Sequence, residues 1–290
     1  MKLITADIKT KEVLGWTGLH LFHARGSSCS QKVRMAMNVK AIPYTSHLLD
    51  LQKNENLTEF YLGINPRGLV PTIVHDGDVH IESNDIITHL DAAYPELPLI
   101  PREHADRVSA LLRHEDDLHL DLRILSFRFL LAPEKPPKSA EDLDRYATLG
   151  SGTVGGQPDA QLGEEIRFWR QLVDSSIPDQ DARKAAQRFR KAFGELEETL
   201  AIHRYVLGDE LTILDIAWLV YVHRLRLSGY PLARLHPRLD TWSAELADHP
   251  AFRDELALPP PIVTHIAARQ AALAREGLTM VDVCAPVFAI

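Results

Sequence analysis

NPRGLVPTIVHDGDVHIES, running from Asn65 to Ser83, is the stretch that decides the fold. Asn-Pro and Gly68 mark a turn, and Thr72 to His75 is a short β-branched strand. Asp76-Gly77 is a tight-hairpin dipeptide, and Asp78 to Ile81 supplies the partner strand. Ser83 then caps a helix whose Ile86, Ile87 and Leu90 recur at helical spacing and which stops before Tyr94-Pro95. Working backwards, Leu57, Phe60 and Tyr61 mark a short helix. Tyr44 to Leu49 reads as a strand ahead of the charged turn at Asp50 to Asn56, and His20 to His23 as an earlier strand running into SSCSQKVR at Ser27 to Arg34. The order is βαβαββα, an α/β arrangement.

SSCSQKVR places two hydroxyls and a thiol at the start of an amphipathic helix. Serine is a preferred N-cap, and the free N–H groups and positive dipole end of a helix N-terminus favour an anion, a thiolate included. Cys29, Val33, Ala36 and Met37 share one face, with Lys32 and Arg34 pointing elsewhere. Taken alone, the segment reads equally as an ordinary capped helix with Cys29 in the core.

Length and composition frame the rest: 290 residues, 45% hydrophobic and 25% charged, enough for a sizeable core and two domains. A formal net charge of -8 without clustered Lys and Arg argues against a nucleic-acid partner and towards small molecules. Two cysteines, Cys29 and Cys284, are too few for a disulfide framework, and MKLITADIKTKEV lacks a signal peptide's apolar core. A cytoplasmic protein with no integral membrane segment is the expectation.

Three motifs in this order, SSCSQKVR at Ser27, NPRGLVPTI at Asn65 and ESNDIITHLD at Glu82, resemble the N-terminal domain of glutathione transferases across about eighty residues. That domain is thioredoxin-like. SSCS followed by VR resembles most the zeta class, which includes maleylacetoacetate isomerases, and the related reductive dehalogenases with a Ser-x-Cys-Ser motif. The resemblance implies glutathione as co-substrate, no metal, a small apolar electrophile as second substrate, and a homodimer.

It also implies roles. Val70-Pro71 would be a cis peptide, leaving the Val70 backbone to pair with the cysteinyl part of glutathione. At the next helix start, Ser83 and free N–H groups would hold the γ-glutamyl carboxylate and Glu82 its ammonium. Ser27 would hydrogen-bond the glutathione sulfur and stabilise it as thiolate, with Ser28 able to take its place one residue on. Cys29 is either core packing or a second nucleophile that exchanges with a glutathionyl adduct. For the glycine carboxylate the loop offers Gln52 and Lys53, although a lysine in a polar loop also serves simply to solvate the chain.

After Pro98 to Pro101 the texture changes to long helices, as the family's all-α helical-bundle second domain requires. The expected division is an N-terminal extension at 1–17, a thioredoxin-like domain at 18–97, and a helical domain at 98–290 carrying a polar insertion near 132–180. Leu118, Leu122, Leu125 and Phe129 form one core stripe, and Ala185, Phe189, Phe193, Leu196 and Leu200 another. Thr212 and Asp215 form a capping-box variant. Gly150, Gly152 and Gly155 spell GxGxxG, but no strand precedes them, so a flexible linker suffices and a dinucleotide site is rejected. His114 and His119 have the wrong spacing for a metal pair. With Arg123 they are candidates only for contacting the electrophile.

The expected function is glutathione transfer by thiolate attack. Glutathione-dependent isomerisation or reductive dehalogenation is the alternative within the family, and a non-catalytic GST-like binding protein the alternative outside catalysis. The insertion resembles the ganglioside-induced GST-like branch.

Overall fold

The computed structural model describes residues 1–131, 138–174 and 177–289. The chain divides into two compact units, Met1–Pro95 with Pro133–Ser176, and Glu96–Ala132 with Ile177–Ile290.

In the first unit four strands, β1 (Leu19–His23), β2 (Thr45–Leu48), β3 (Thr72–His75) and β4 (Asp78–Ile81), form a sheet of order β2-β1-β3-β4. β1 is parallel to β2 and antiparallel to β3, and β3 is antiparallel to β4. The central strands bury Leu19, Leu21, Phe22, Ile73 and Val74, on both faces of the sheet, whereas edge strand β2 is largely exposed. Asp76-Gly77 makes the β3–β4 turn with both residues at positive φ.

Three helices complete this core: α1 (Ser28–Val39), α2 (Glu59–Leu62) and α3 (Ser83–Ala93). Helix α1 departs from the expected one-sided burial. Every residue from Ser30 to Met37 is buried, Lys32 and Arg34 included. Lys32 is tolerated there because its Nζ donates to Asn84 Oδ1 at 2.8 Å. Ser83 is likewise not the cap of α3 but its first residue. Glu82 holds the N-cap position at φ 66°, ψ 117°.

The N-terminal extension is part of this unit. Leu3 N donates to Val79 O at 2.9 Å and Lys2 forms a bridge with His80, continuing the sheet beyond β4, whose edge is thereby paired. Ile8 and Val13 join Phe22, Tyr61, Val74 and Val79 in one core.

The segment expected to be a polar insertion in the helical domain packs instead with the first unit. Of that stretch, residues 132–137 and 175–176 lie outside the described residues. Residues 138–174 form α6 (Ala140–Leu149), a hairpin of β5 (Thr153–Val154) and β6 (Gln157–Pro158), and α7 (Gln161–Asp174), while Ile177 to Gln180 belong to the second unit. Its apolar side chains explain the placement: Tyr146 and Leu162 cluster with Leu57 and Leu62, and Val154 enters the core shared with the extension. The GxGxxG stretch is correspondingly not a linker. Gly155 and Gly156, at φ 64° and 73°, make the two-residue hairpin turn, and Gly155 N donates to Asp7 Oδ2 at 2.7 Å.

The second unit is helical, led by α4 (Ala105–Asp116), α5 (His119–Ser126), α8 (Asp179–Thr199) and α9 (Ile213–Leu227). Both expected stripes face the interior, with Leu200 only half-buried. Thr212 and Asp215 form the capping box of α9, whose residues from Ile213 to Val222 are all buried. His119 Nδ1 lies 3.0 Å from Tyr221 Oη, and His114 Nε2 lies 3.6 Å from Glu195. Among the described residues no helix is long and apolar enough to cross a membrane, and no group of three or more His, Cys, Asp or Glu is placed to hold a metal ion.

Candidate functional site

Register brings the sequence-predicted residues of the first unit to one end of its sheet. Phe22 pairs with Thr72 and Thr72 with Ile81, so the loop after β1, the turn before β3 and the chain after β4 leave the same end. β2 runs parallel to β1 with His23 opposite Leu48, so the loop carrying Lys53 leaves there too. Ser27, Ser28 and Cys29 follow β1, Val70 and Pro71 precede β3, and Glu82 and Ser83 follow β4.

Ser27 is the N-cap of α1, with φ −78° and ψ 123°, and its Oγ accepts from Ser30 N at 3.2 Å. A hydroxyl that accepts from the backbone keeps its own proton to donate. It sits at the positive end of the α1 dipole, which favours an anion. Ser28 is the first helical residue and Cys29 the second, both half-buried. Cys29 is thus only partly enclosed, at the helix start, and it is not in a disulfide.

The loop that presents Ser27 is held from beneath. Buried Arg34 donates to Ala24 O at 3.2 Å and Arg25 O at 3.3 Å, and its Nη1 lies 3.1 Å from His23 Nδ1. Because guanidinium only donates, His23 Nδ1 must accept, which puts the imidazole proton on Nε2, 2.7 Å from Ser46 Oγ. Burial, then the neighbouring Arg34 charge, lowers the His23 pKa from 6.5 to about 4.

His80 on β4 is also lowered to about 4, by burial and then by the His89 ring stacked on it at 3.9 Å. Both histidines are neutral in the fold and protonate near 6.5 in the unfolded chain, so below that pH the unfolded state binds more protons. Stability is therefore complete above about pH 6.5 and falls as pH drops towards 4, by on the order of 3 kcal/mol per histidine. Tm measured across this range should decline steeply, and the His80→Asn variant should decline less.

Val70-Pro71 is a cis peptide. The Val70 amide and carbonyl have no hydrogen-bond partner among the described residues, which leaves a short backbone edge able to pair with an extended ligand. Its neighbours are well fixed: Asn65 Nδ2 donates to Leu69 O at 2.8 Å and Thr72 Oγ1 at 2.9 Å, and Tyr61 Oη donates to Leu69 O at 2.5 Å.

Glu82 occupies a backbone region that costs a non-glycine residue about 1–3 kcal/mol and that collects at functional sites. The residue after it, Ser83, is buried, and its hydroxyl has no hydrogen-bond partner among the described residues. With the N–H groups at the N-terminus of α3, it can hold a carboxylate. Glu82 Oε1 accepts from Arg67 Nη1 at 2.6 Å. Arg67, quoted in the NPRG turn but given no role from sequence, is the functional-site residue that sequence reasoning missed. A guanidinium two residues after Asn65 was the available signal.

Lys53 ends a 3-10 turn capped by Asp50, with its Nζ 3.4 Å from Asp50 Oδ2 and its side chain 74% exposed. It is a solvated cation at the site's margin, near Gln52. His114, His119 and Arg123 belong to the second unit.

Comparisons with known proteins show the family. A family model described as glutathione S-transferase, N-terminal domain, matches residues 21–98, and one described as glutathione S-transferase, C-terminal domain, matches residues 167–253. The chain is similar to glutathione S-transferase Z2 of Arabidopsis thaliana, at 40% identity over 243 residues, covering 81% of this chain and 89% of that protein. It is 39% identical over 231 residues to a probable maleylacetoacetate isomerase of Caenorhabditis elegans, covering 78% and 87% respectively. In fold it resembles the crystal structure of the beta-etherase LigF from Sphingobium sp. strain SYK-6, with a TM-score of 0.69 at 20% identity, covering 82% of this chain and 98% of that one. The chain belongs to the glutathione S-transferase family.

Proposed function

We propose that the protein binds glutathione across the end of the first unit's sheet, ionises its thiol at Ser27, and uses the thiolate to attack a small apolar electrophile. The observation that carries this reading is Ser27 itself: its Oγ is fixed by accepting from Ser30 N, and its proton remains to be donated at a helix N-terminus. Val70 pairs with the cysteinyl backbone, Ser83 holds the γ-glutamyl carboxylate and Glu82 its ammonium, while Lys53 or Gln52 meets the glycine end. Pro71 directs the chain into β3.

Similarity to a probable maleylacetoacetate isomerase supports cis–trans isomerisation as the reaction. The thiolate adds to one carbon of a conjugated cis double bond, the resulting single bond rotates, and elimination restores the trans bond and free glutathione. No atom is gained or lost. Working as a cytoplasmic homodimer is part of the same proposal.

The placement of Cys29 favours a second reading, reductive dehalogenation. There a glutathione thiolate displaces halide from carbon, Cys29 attacks the sulfur of the adduct to release the reduced carbon with a proton, and a second glutathione frees Cys29 as glutathione disulfide leaves. Cys29→Ser separates the two. Isomerisation or chlorodinitrobenzene-type substitution is expected to stay within about threefold of wild type, because Ser27 is intact. Release of glutathione disulfide from a haloaromatic substrate by wild type, abolished in the variant, would move the assignment to dehalogenation. Failure to bind immobilised glutathione or to turn over any such electrophile would leave a non-catalytic GST-like protein.

A further inference from the structure

The segment 138–174, folded onto the first unit, delivers one charged side chain to the site just described. Asp159, immediately after β6, grips Arg67 through both carboxylate oxygens, Oδ2 to Nε at 2.8 Å and Oδ1 to Nη2 at 2.7 Å. Only Arg67 Nη1 is left to reach Glu82 Oε1. Asp159 is held in turn by its own amide, which donates to Gly152 O at 2.8 Å, and the same segment meets the NPRG turn through the Tyr146 hydroxyl, which donates to Arg67 O, and through Ser151 N, which donates to Pro66 O at 3.4 Å.

Exposure orders the three groups. The side chains of Arg67 and Asp159 are each 11% exposed and that of Glu82 is 35% exposed, so the carboxylate facing solvent is Glu82. Glu82 Oε2 has no hydrogen-bond partner among the described residues. One guanidinium between two carboxylates leaves a single negative charge. Freed from Asp159, the guanidinium fork would be able to pair with both oxygens of Glu82 and cancel that charge.

We infer that Asp159 is a positioning residue for glutathione recognition: by occupying two arms of Arg67 it keeps one oxygen of Glu82 available to the γ-glutamyl ammonium. This rests on the glutathione reading of the site. It gives the 138–174 segment a function in selecting thiols that bear a free α-amino group.

The test compares glutathione with its glutaryl analogue, which lacks only that ammonium group, by calorimetry and by steady-state kinetics. For Asp159→Asn, Kd and KM for glutathione are expected to rise about tenfold with kcat unchanged, the cost of a weakened charge-assisted contact. The glutaryl analogue should bind wild type and variant alike, and Asp159→Glu, which keeps the charge, should recover most of the lost affinity. Equal weakening towards both ligands would mean that Asp159 only supports the loop, and would overturn the inference, as would unchanged glutathione binding. If wild type binds neither ligand, the glutathione reading falls and this inference with it.

Discussion

Replacing Ser27 by alanine is expected to lower kcat/KM for glutathione-dependent turnover about 100-fold, the scale of one lost hydrogen bond to a developing sulfur anion. Two effects coincide at this residue and separate by readout. Loss of the proton donor raises the pKa of bound glutathione, so the pH–rate profile should shift to higher pH. Loss of the N-cap bond to Ser30 N lowers stability by about 1 kcal/mol, a small change in Tm. Ser27→Thr keeps both functions and should keep most activity. Ser28→Ala serves as the control, since Ser28 lies inside the helix with no cap bond to orient it. If Ser28→Ala were the more damaging change, the donor would be Ser28 and the role assigned to Ser27 would pass to it.

The largest stability loss is expected at Asp215, in the second unit. Its carboxylate accepts from Val206 N at 2.9 Å, Thr212 N at 2.8 Å and Thr212 Oγ1 at 2.9 Å, and the residue is fully buried. Burial pushes its pKa up to about 6 in spite of these donors, which pull it down. Asp215→Ala leaves two buried amides without acceptors at the head of the most enclosed helix. The expected cost is about 3–5 kcal/mol, or a fall in Tm on the order of 10 °C. Thr279 and Asp282 make the same box at a solvent-exposed helix start, so Asp282→Ala should cost only about 1 kcal/mol. Equal losses at the two positions would show that burial is not what makes the Asp215 box strong.

Much of the first unit was legible because its signals are local. Asp76-Gly77 fixed the β3–β4 hairpin, and Thr72 to His75 and Asp78 to Ile81 are the strands expected. Ser27 announced the start of α1 by N-cap chemistry, and Thr212 with Asp215 did the same for α9. What was not legible depends on contacts distant in sequence. Lys32 and Arg34 read as surface charges because isolated cations stay in water. They are buried because Asn84 lies 52 residues away to receive one, and the carbonyls of Ala24 and Arg25 receive the other. The pairing of Arg67 with Asp159 spans 92 residues, and neither residue type signals it locally. The polar composition of residues 132–180 suggested an insertion in the helical domain, yet apolar side chains of the 138–174 stretch, among them Tyr146, Val154 and Leu162, pack on the first unit. The positive φ of Glu82 has no sequence signature at all, since only glycine advertises that region.

The central claim is that this protein ionises the thiol of bound glutathione at Ser27. Its most direct test is the ultraviolet absorbance of the thiolate, titrated against pH for glutathione saturating the wild-type protein and the Ser27→Ala variant. The account predicts a bound-thiol pKa well below the free value of about 8.5 in wild type and a return most of the way towards it in the variant. A bound thiol that titrates as it does in free solution, or one that stays depressed without the Ser27 hydroxyl, would contradict it.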